Sequence, residues 1–256
     1  VAVLPLGAQA TQPTARFNGK PVLVTRQAVA QRDGAPLDGD RINAARDREE
    51  WVAVIGIPLD TELGTALVAV DDREISFEVV AHQYREQYLT VAPSYVNPDP
   101  VALERIARDS ALIAKAIARH SAVAPRSLQL RAPIPGKRSD SFGSRRFFNK
   151  EPRSPHRGMD ISGATGTPIH APLAGTVILT GDFYFTGNAV FVDHGAGLIS
   201  LYAHLDSIAV TSGEPVATGD LLGTVGATGR VTGAHLHFAT YLNGTPVDPA
   251  LLLGQD

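Results

Sequence analysis

Histidine is the residue type that indicates chemistry in this chain, by its number and by its placement. The sequence contains eight histidines and no cysteine, and six of the histidines follow residue 134. Because cysteine nucleophiles and thiolate ligands are absent, any metal ion must be bound by His, Asp or Glu. We therefore expect the chemistry of the protein to lie in its carboxy-terminal half.

Two pairs of side chains have a spacing suited to metal binding. His235 and His237 flank Leu236 in a predicted strand, where residues two apart point to the same face. His156 and Asp160 are four residues apart in a predicted loop that runs into a strand, and a glycine between them lets the chain bend. Either pair could occur by chance, and it is their combination that indicates a site.

A cysteine-free catalytic zinc site uses three nitrogen or oxygen ligands and leaves a fourth position for water. Two His and one Asp leave a charge of about +1 on the centre, which favours an ionised water and polarises a carbonyl oxygen. The two pairs supply four groups for three positions, and their spacing does not tell which imidazole is left over. That imidazole, together with His204, would be free for proton transfer or oxyanion stabilisation.

Four separated blocks of the sequence resemble the lysostaphin and LytM-type peptidoglycan endopeptidases, peptidase family M23, in order, spacing and flanking residues. The blocks are Phe142-Gly143-Ser144-Arg145-Arg146, His156 with Asp160, Tyr202-Ala203-His204-Leu205 and Gly233-Ala234-His235-Leu236-His237-Phe238. The resemblance covers residues from about 135 to 250. Jointly the blocks are far more specific than any one of them.

The resemblance implies a role for each of five residues. It implies that His156, Asp160 and His237 bind one zinc ion per chain. It also implies that His235 and His204 do not bind the metal but act as general base and as stabiliser of the tetrahedral intermediate. The implied reaction is hydrolysis of a peptide bond by a metal-activated water, without a covalent acyl-enzyme.

The implied family fold is a compact, mostly antiparallel β domain whose groove, walled by loops, receives an extended peptide. We expect Tyr202 and the loop of residues 181–188, with Phe183, Tyr184, Phe185 and Asn188, to line this groove. Packing inside the domain is the alternative for the aromatic residues.

Other polar residues near the four blocks have less specific interpretations. Ser141, Ser144 and Ser154 are predicted to be turn residues, and His170 and His194 to be structural. A basic cluster near the site is either a solvated loop or a group that holds substrate carboxylates, since Arg forms bidentate pairs with them. The cluster consists of Arg145, Arg146, Arg153 and Arg157.

The elements that must position these residues are mainly β. Residues 1–96 are predicted to form a small β-sandwich or barrel-like accessory domain of short strands separated by turn residues. Its predicted strands include Val1–Leu6, Pro21–Thr25, Trp51–Ile57, Thr65–Val70, Ile75–Val80 and Gln87–Val91.

One helix is predicted within residues 97–120, since Asp99 can cap it and Pro100 fits its first position. Residues 121–134 are predicted to be a linker, because this part of the chain carries prolines and little periodicity. Residues 135–256 are predicted to be the zinc metallopeptidase domain, an antiparallel β domain in which Asn243-Gly244 marks a hairpin turn.

The amino-terminal half is similar to the β-rich domain that accompanies some envelope members of the family. The similarity includes Tyr84-Arg85-Glu86-Gln87-Tyr88-Leu89-Thr90-Val91 and the helix after it. Such a domain either orients the enzyme on its polymer or covers the groove and holds the enzyme latent, and the sequence leaves both open.

Composition excludes some partners. The formal net charge of -3 gives no basic surface for nucleic acid. No apolar run approaches the roughly 20 residues that a membrane span needs. The resemblance implies peptidoglycan stem peptides as partners and a periplasmic or envelope location, and the sequence leaves open whether a signal peptide or a membrane anchor preceded Val1. The oligomeric state is left open, a monomer included.

Two functions of different classes remain at this point. The first is a zinc endopeptidase that hydrolyses peptide cross-links of peptidoglycan, of the D-Ala to meso-diaminopimelate type. The second is a catalytically inactive relative that binds wall peptides or activates another hydrolase. Inactive members lose ligands, whereas all five expected residues stand here. Cleavage of oligoglycine bridges is disfavoured because no wall-targeting module is apparent.

Overall fold

The computed structural model of the chain describes residues 1–28 and 49–254. Residues 29–48, which fall within the predicted accessory domain, and residues 255–256 lie outside the described residues. The described part is mainly β, as predicted, with a single α-helix. Among these residues no helix combines the length and the apolar composition that crossing a bilayer requires.

The amino-terminal half begins with eight strands in the described residues. They are β1 (Ala2–Gly7), β2 (Ala15–Phe17), β3 (Lys20–Pro21), β4 (Leu23–Ala28), β5 (Glu49–Ile55), β6 (Gly64–Val70), β7 (Arg73–Val79) and β8 (Glu86–Leu89). A 3-10 turn (Pro93–Tyr95) and the helix α1 (Pro100–Ile117) follow.

The carboxy-terminal half is built of shorter and longer strands that end in a 3-10 turn (Pro249–Leu251). They are β9 (Arg145–Phe148), β10 (Glu151–Arg153), β11 (Met159–Ser162), β12 (Pro168–His170), β13 (Gly175–Phe183), β14 (Gly187–Gly195), β15 (Leu198–Ile208), β16 (Pro215–Val216), β17 (Leu221–Val225), β18 (His235–Leu242) and β19 (Thr245–Val247).

Two small antiparallel sheets form the sandwich that was predicted for the amino-terminal half. One has the order β1-β5-β4 and the other β3-β2-β6-β7. Their alternating apolar side chains meet in one core, to which Leu6 and Ile55 contribute from the first sheet and Phe17 and Val68 from the second. Burial of one face of each sheet explains the period of two in these strands.

Helix α1 begins where the sequence predicts. The Asp99 carboxylate accepts a hydrogen bond from the Ala102 N–H at 2.8 Å, and Pro100 occupies the first helical turn. The helix packs through Ile113, Ala116 and Ile117 on the large carboxy-terminal sheet. It therefore covers one face of the sheet that carries the candidate site.

The large sheet has nine strands, with the path β11-β18-β15-β14-β13-β16. Strand β12 pairs with β17, β17 also pairs with β15, and β19 pairs with β18. The predicted hairpin turn joins β18 to β19, and both Asn243 and Gly244 have positive φ, 45° and 74°. This pair of conformations is the one that a two-residue hairpin turn requires.

The two halves are in direct contact. Strand β8 pairs in parallel with β9, and the Asn243 amide exchanges hydrogen bonds of 2.7 and 3.1 Å with the backbone of Gly56. Leu23 and Val54 of the amino-terminal half belong to the same apolar cluster as the core of the large sheet. The predicted domain boundaries remain predictions.

Candidate active site and metal centre

Strand register places Asp160 beside His237. In the antiparallel pair β11–β18, Asp160 lies directly opposite His237, and Ser162 opposite His235. Directly opposed residues have Cβ atoms only about 4.5–5.5 Å apart. The Asp160 Oδ1 atom is accordingly 3.0 Å from His237 Nδ1.

His156 completes a group of three. Its side chain is 1% exposed, and its Nε2 atom lies 2.9 Å from His237 Nδ1 and 3.3 Å from Asp160 Oδ1. Tetrahedral zinc with bonds of about 2.0–2.1 Å has ligand atoms roughly 3.3 Å apart, close to these separations. The three side chains could therefore hold a metal ion, and their donor set is one that zinc accepts.

Protonation states also fit a cation. Burial lowers the pKa of His156 to about 4, which favours the neutral ring. Burial alone would raise the pKa of Asp160, but the neighbouring His156 and His237 side chains hold it far below its usual range. Metal ions bind neutral imidazole and ionised carboxylate, so His156 and Asp160 are already in the required states.

Two serines orient the candidate ligands. His156 Nδ1 donates to Ser141 Oγ at 2.8 Å, which leaves Nε2 as the lone-pair nitrogen toward the group. Ser141 Oγ is 2.6 Å from Ser139 Oγ, which accepts the Asp160 backbone N–H at 2.9 Å. Ser141 was predicted to be a turn residue, and this is confirmed because its carbonyl accepts the Ser144 N–H at 3.2 Å. Its hydroxyl has the additional role of holding the His156 ring. No spacing in the sequence signals this bond.

Gly158 provides space rather than flexibility. A Cβ atom built at this position would lie 2.7 Å from Cε1 of His237. Gly158 is not among the residues with positive φ, so its backbone conformation does not demand glycine. The residue is needed because the His237 ring passes against the backbone.

A β-bulge turns His204 toward the group. Between Tyr202 and Leu205, strand β15 has one more residue than β14, and His204 adopts a φ of 66°. Bulges re-aim side chains and are common next to active sites. The His204 backbone N–H donates to Thr186 O at 2.9 Å, and Nδ1 donates to Thr228 O at 2.8 Å.

His204 and His235 lie together beside the three candidate ligands. Their ring centroids are 5.1 Å apart, and the ring of His204 is 5.8 Å from that of His237. His235 Nδ1 donates to the Gly233 carbonyl at 2.8 Å, and Nε2 is 3.7 Å from Asp160 Oδ1. Burial, followed by the charge of His237, lowers the pKa of His204 to about 3.

One member of the predicted basic cluster reaches the group. Arg146 Nη2 is 3.4 Å from Asp160 Oδ2, and its Nε donates to Gln87 Oε1 at 2.9 Å. Arg153 instead pairs with Glu151 at 2.7 Å. Arg145 and Arg157, the other two, are exposed. Gln87 belongs to β8, so the amino-terminal half helps to position Arg146.

The predicted groove residues divide into two kinds. Tyr202 is 0% exposed and lies 2.8 Å from Ser200 Oγ through its hydroxyl, and Phe183 is 4% exposed. Both pack in the interior, so their assignment to the groove is wrong: their rings fill the sheet's two apolar clusters. Tyr184, Phe185 and Asn188 are half-buried, and their place in a groove remains a prediction.

The remaining two histidines of this half stay apart from the group. His194 is buried and bonds through Nδ1 to Ala174 O at 3.0 Å and through Nε2 to Ser200 Oγ at 2.7 Å. His170 is exposed and donates to Gly219 O at 2.9 Å. Both have the structural contacts that were expected of them.

Comparison with known proteins decides the family. Residues 154–249 match the model of Peptidase family M23. A crystal structure from Pseudomonas aeruginosa that carries the assignment peptidase M23 matches with a TM-score of 0.77 and 38% identity, over 98% of this chain and 92% of that chain. This chain belongs to peptidase family M23. The resemblance seen in the four sequence blocks is thereby confirmed.

Curated relatives of this M23 chain match it over a limited region. The peptidoglycan DD-endopeptidase ShyA of Vibrio cholerae is 38% identical over 111 residues, which are 43% of this chain and 26% of ShyA. The DD-carboxypeptidase/endopeptidase Mpg of Neisseria meningitidis is 42% identical over 94 residues, 37% of this chain and 22% of Mpg. The chain thus spans about a quarter of the length of these relatives.

Proposed function

We propose that this M23 chain is a zinc-dependent endopeptidase that hydrolyses peptide cross-links of bacterial peptidoglycan. We assign the D-Ala to meso-diaminopimelate bond as its target, one zinc ion per chain as its cofactor, and the periplasm or cell envelope as its location. Support comes from the names of the relatives, which include peptidoglycan DD-endopeptidases. An inactive relative is not favoured, because none of the five expected residues is replaced.

One observation carries the proposal. His156 Nε2, Asp160 Oδ1 and His237 Nδ1 converge within 3.3 Å of one another, and two further imidazoles lie beside them without joining the group. Three ligands with additional proton-transfer groups are the composition of a catalytic zinc site, whereas structural zinc sites use four protein ligands.

A zinc ion bound by these three atoms would supply Lewis acidity, which polarises a peptide carbonyl and lowers the pKa of a water molecule. The protein's own groups move the protons. His235 is held through Nδ1–H, so its neutral ring presents Nε2 as an acceptor, and we assign it as the general base. His204 has the same tautomer, and we assign it as the donor to the oxyanion.

The low pKa of His204 sets a condition on that second role. A neutral ring whose Nδ1–H is bonded to Thr228 has no proton on Nε2 to donate. The negative charge of a tetrahedral intermediate would raise the pKa of His204 and stabilise its protonated ring. We therefore expect His204 to take up a proton from solvent water as the charge develops and to donate a hydrogen bond to the oxyanion from the protonated Nε2.

Digestion of purified sacculi tests the proposal. The zinc-loaded protein is incubated with peptidoglycan cross-linked through D-Ala and diaminopimelate, and the products are identified by mass spectrometry. Cross-linked dimers should decline while monomers with a free amino group on diaminopimelate appear. His204→Ala is the matched control, because it should keep the metal and reduce the rate by about a hundredfold or more.

Three results would contradict the proposal. The zinc-loaded protein could leave all dimers intact, it could release fragments cut within the glycan strand, or His204→Ala could digest sacculi at the wild-type rate. A wall cross-linked through oligoglycine serves as the second substrate, and it should resist digestion.

A further inference from the structure

Arg230 is held between two aromatic rings. Its Cζ atom lies 4.5 Å from the ring centroid of Phe148 and 4.3 Å from that of Phe185. We call Phe148 and Phe185 the aromatic clamp. A guanidinium that stacks on rings keeps its five N–H donors at its edge, where they can bind a planar anion. The clamp also restricts the side chain before any ligand arrives, which lowers the entropy cost of binding.

The charges around Arg230 are positive. In the part of the chain that the structure describes, no carboxylate pairs with its guanidinium, and its charged neighbours include Arg146 and Arg153. Burial first, and these two arginines second, lower its pKa to about 10. The guanidinium stays protonated at neutral pH, so Arg230 is a partly buried cation whose charge a bound anion would neutralise.

The other two arginines already have partners. Arg153 pairs with Glu151 at 2.7 Å, and Arg146 bonds to Gln87 and Asp160. Of these three arginines, Arg230 is the one whose guanidinium N–H groups remain available to a ligand among the described residues.

The same two loops hold Arg230 and His204. Residues 226–234, which join β17 to β18, carry both Arg230 and Thr228, whose carbonyl binds His204. The turn between β13 and β14 supplies Phe185 O to the Arg230 N–H at 2.9 Å and Thr186 O to the His204 N–H at 2.9 Å. Two loops therefore fix the backbone of both residues, and Arg146, a charged neighbour of Arg230, lies 3.4 Å from Asp160 of the candidate site.

We propose that Arg230 binds a free carboxylate of the stem-peptide substrate and thereby determines specificity. This inference rests on the proposed function for the identity of the substrate. A stem peptide cross-linked through diaminopimelate offers carboxylates at that residue and at its carboxy terminus. Arg binds a carboxylate through two parallel hydrogen bonds, and the clamped guanidinium presents its donors in the required plane.

Cleavage of matched peptides tests the specificity. The substrates are a cross-linked stem-peptide dimer with all carboxylates free, a dimer amidated at diaminopimelate, and a dimer amidated at the carboxy terminus. The proteins are the wild type, Arg230→Gln, Arg230→Lys and Arg131→Gln, each zinc-loaded. Arg131 is exposed and lies before the first block of the site, so its substitution controls for net charge.

The wild type should prefer the free dimer over one amidated dimer by about ten- to a hundredfold in kcat/KM, the range expected for charge-assisted hydrogen bonds. The amidation that lowers the rate identifies the carboxylate. Arg230→Gln should cleave free and amidated dimers at similar rates, Arg230→Lys should retain part of the preference, and Arg131→Gln should retain all of it. An unchanged preference in Arg230→Gln would overturn the inference, as would a wild type that does not discriminate.

Binding to the zinc-free protein separates this inference from the proposed function. Calorimetry with the free and amidated dimers should show the same discrimination in the wild type and its loss in Arg230→Gln. If no protein cleaves any dimer, the proposed function fails, and the binding comparison still decides the role of Arg230. Equal affinity of the zinc-free wild type for free and amidated dimers would refute it.

Discussion

Replacement of Ser141 by alanine tests how the His156 ring is held. The Ser141 hydroxyl accepts the His156 Nδ1 proton at 2.8 Å, and this bond leaves Nε2 as the nitrogen that faces Asp160 and His237. Without the hydroxyl, the ring loses the shorter of the two Nδ1 bonds that fix its tautomer and rotation. We expect Ser141→Ala to bind zinc more weakly while the fold remains intact.

The structure limits the size of the loss. Removing such a partner of a metal ligand typically weakens metal binding by about 10- to 100-fold. In this protein the Ser141 carbonyl is 3.2 Å from the same Nδ1 atom and remains as a second acceptor. We therefore expect the lower end of the range, about tenfold, which corresponds to about 1.4 kcal/mol.

Competition with a fluorescent zinc chelator measures the affinity. Ser154→Ala is the control, because Ser154 is exposed and lies two residues before His156. The control should bind zinc as the wild type does. Ser141→Ala affinity within twofold of wild type would refute the reasoning. So would a lower melting temperature of the zinc-free variant that accounts for the whole loss, because the serine would then act through stability.

Three further predictions follow from the packing and the pKa values. Gly158→Ala should lose more than about tenfold in zinc affinity, because its Cβ would lie 2.7 Å from the His237 ring. Gly233→Ala is the control and should bind zinc normally, because no atom lies within 4 Å of its Cβ. Equal affinities of the two variants in chelator competition would contradict this prediction. Asn243→Ala should lower the free energy of unfolding in urea by about 2–4 kcal/mol, because the buried N–H and C=O of Gly56 lose their partners. Asn243→Gly should lower it by a similar amount if these two bonds, rather than the turn conformation, are decisive. The pKa of His204 is about 3 in the folded chain, below the unfolded value of about 6.5. Below pH 6.5 the unfolded chain therefore binds a proton that the folded chain does not, and the free energy of unfolding, which is unaffected above pH 6.5, falls with pH. Between pH 7 and pH 5, the free energy of unfolding of the zinc-free wild type, measured with urea, should fall by on the order of 2 kcal/mol more than that of zinc-free His204→Phe. Equal decreases in the two proteins would contradict the lowered pKa.

Much of the fold could be predicted because its signals are local. The alternation of apolar residues in the strands, the cap of Asp99 and the Asn243-Gly244 turn each act within a few residues, and the structure has all three. Placement of His235 and His237 on one strand face follows from the same periodicity.

The remaining features depend on contacts between distant segments. Register alone sets Asp160 opposite His237, and no pattern in the sequence predicts that a bulge will turn His204 toward them. Tyr202 stands two residues from His204, and regular alternation would place both on one face of β15. The bulge after Tyr202 breaks this alternation, and Tyr202 lies in the core. The sequence does not single out Arg230, because only the folded chain brings Phe148 and Phe185 against its guanidinium.

Zinc content of purified single variants tests the central claim most directly. His156, Asp160 and His237 should bind the ion, and His204 should not. Wild type and His204→Ala should each contain one zinc per chain by plasma mass spectrometry, and His237→Ala should contain essentially none. Full zinc occupancy in His237→Ala, or loss of zinc in a folded His204→Ala, would contradict the account.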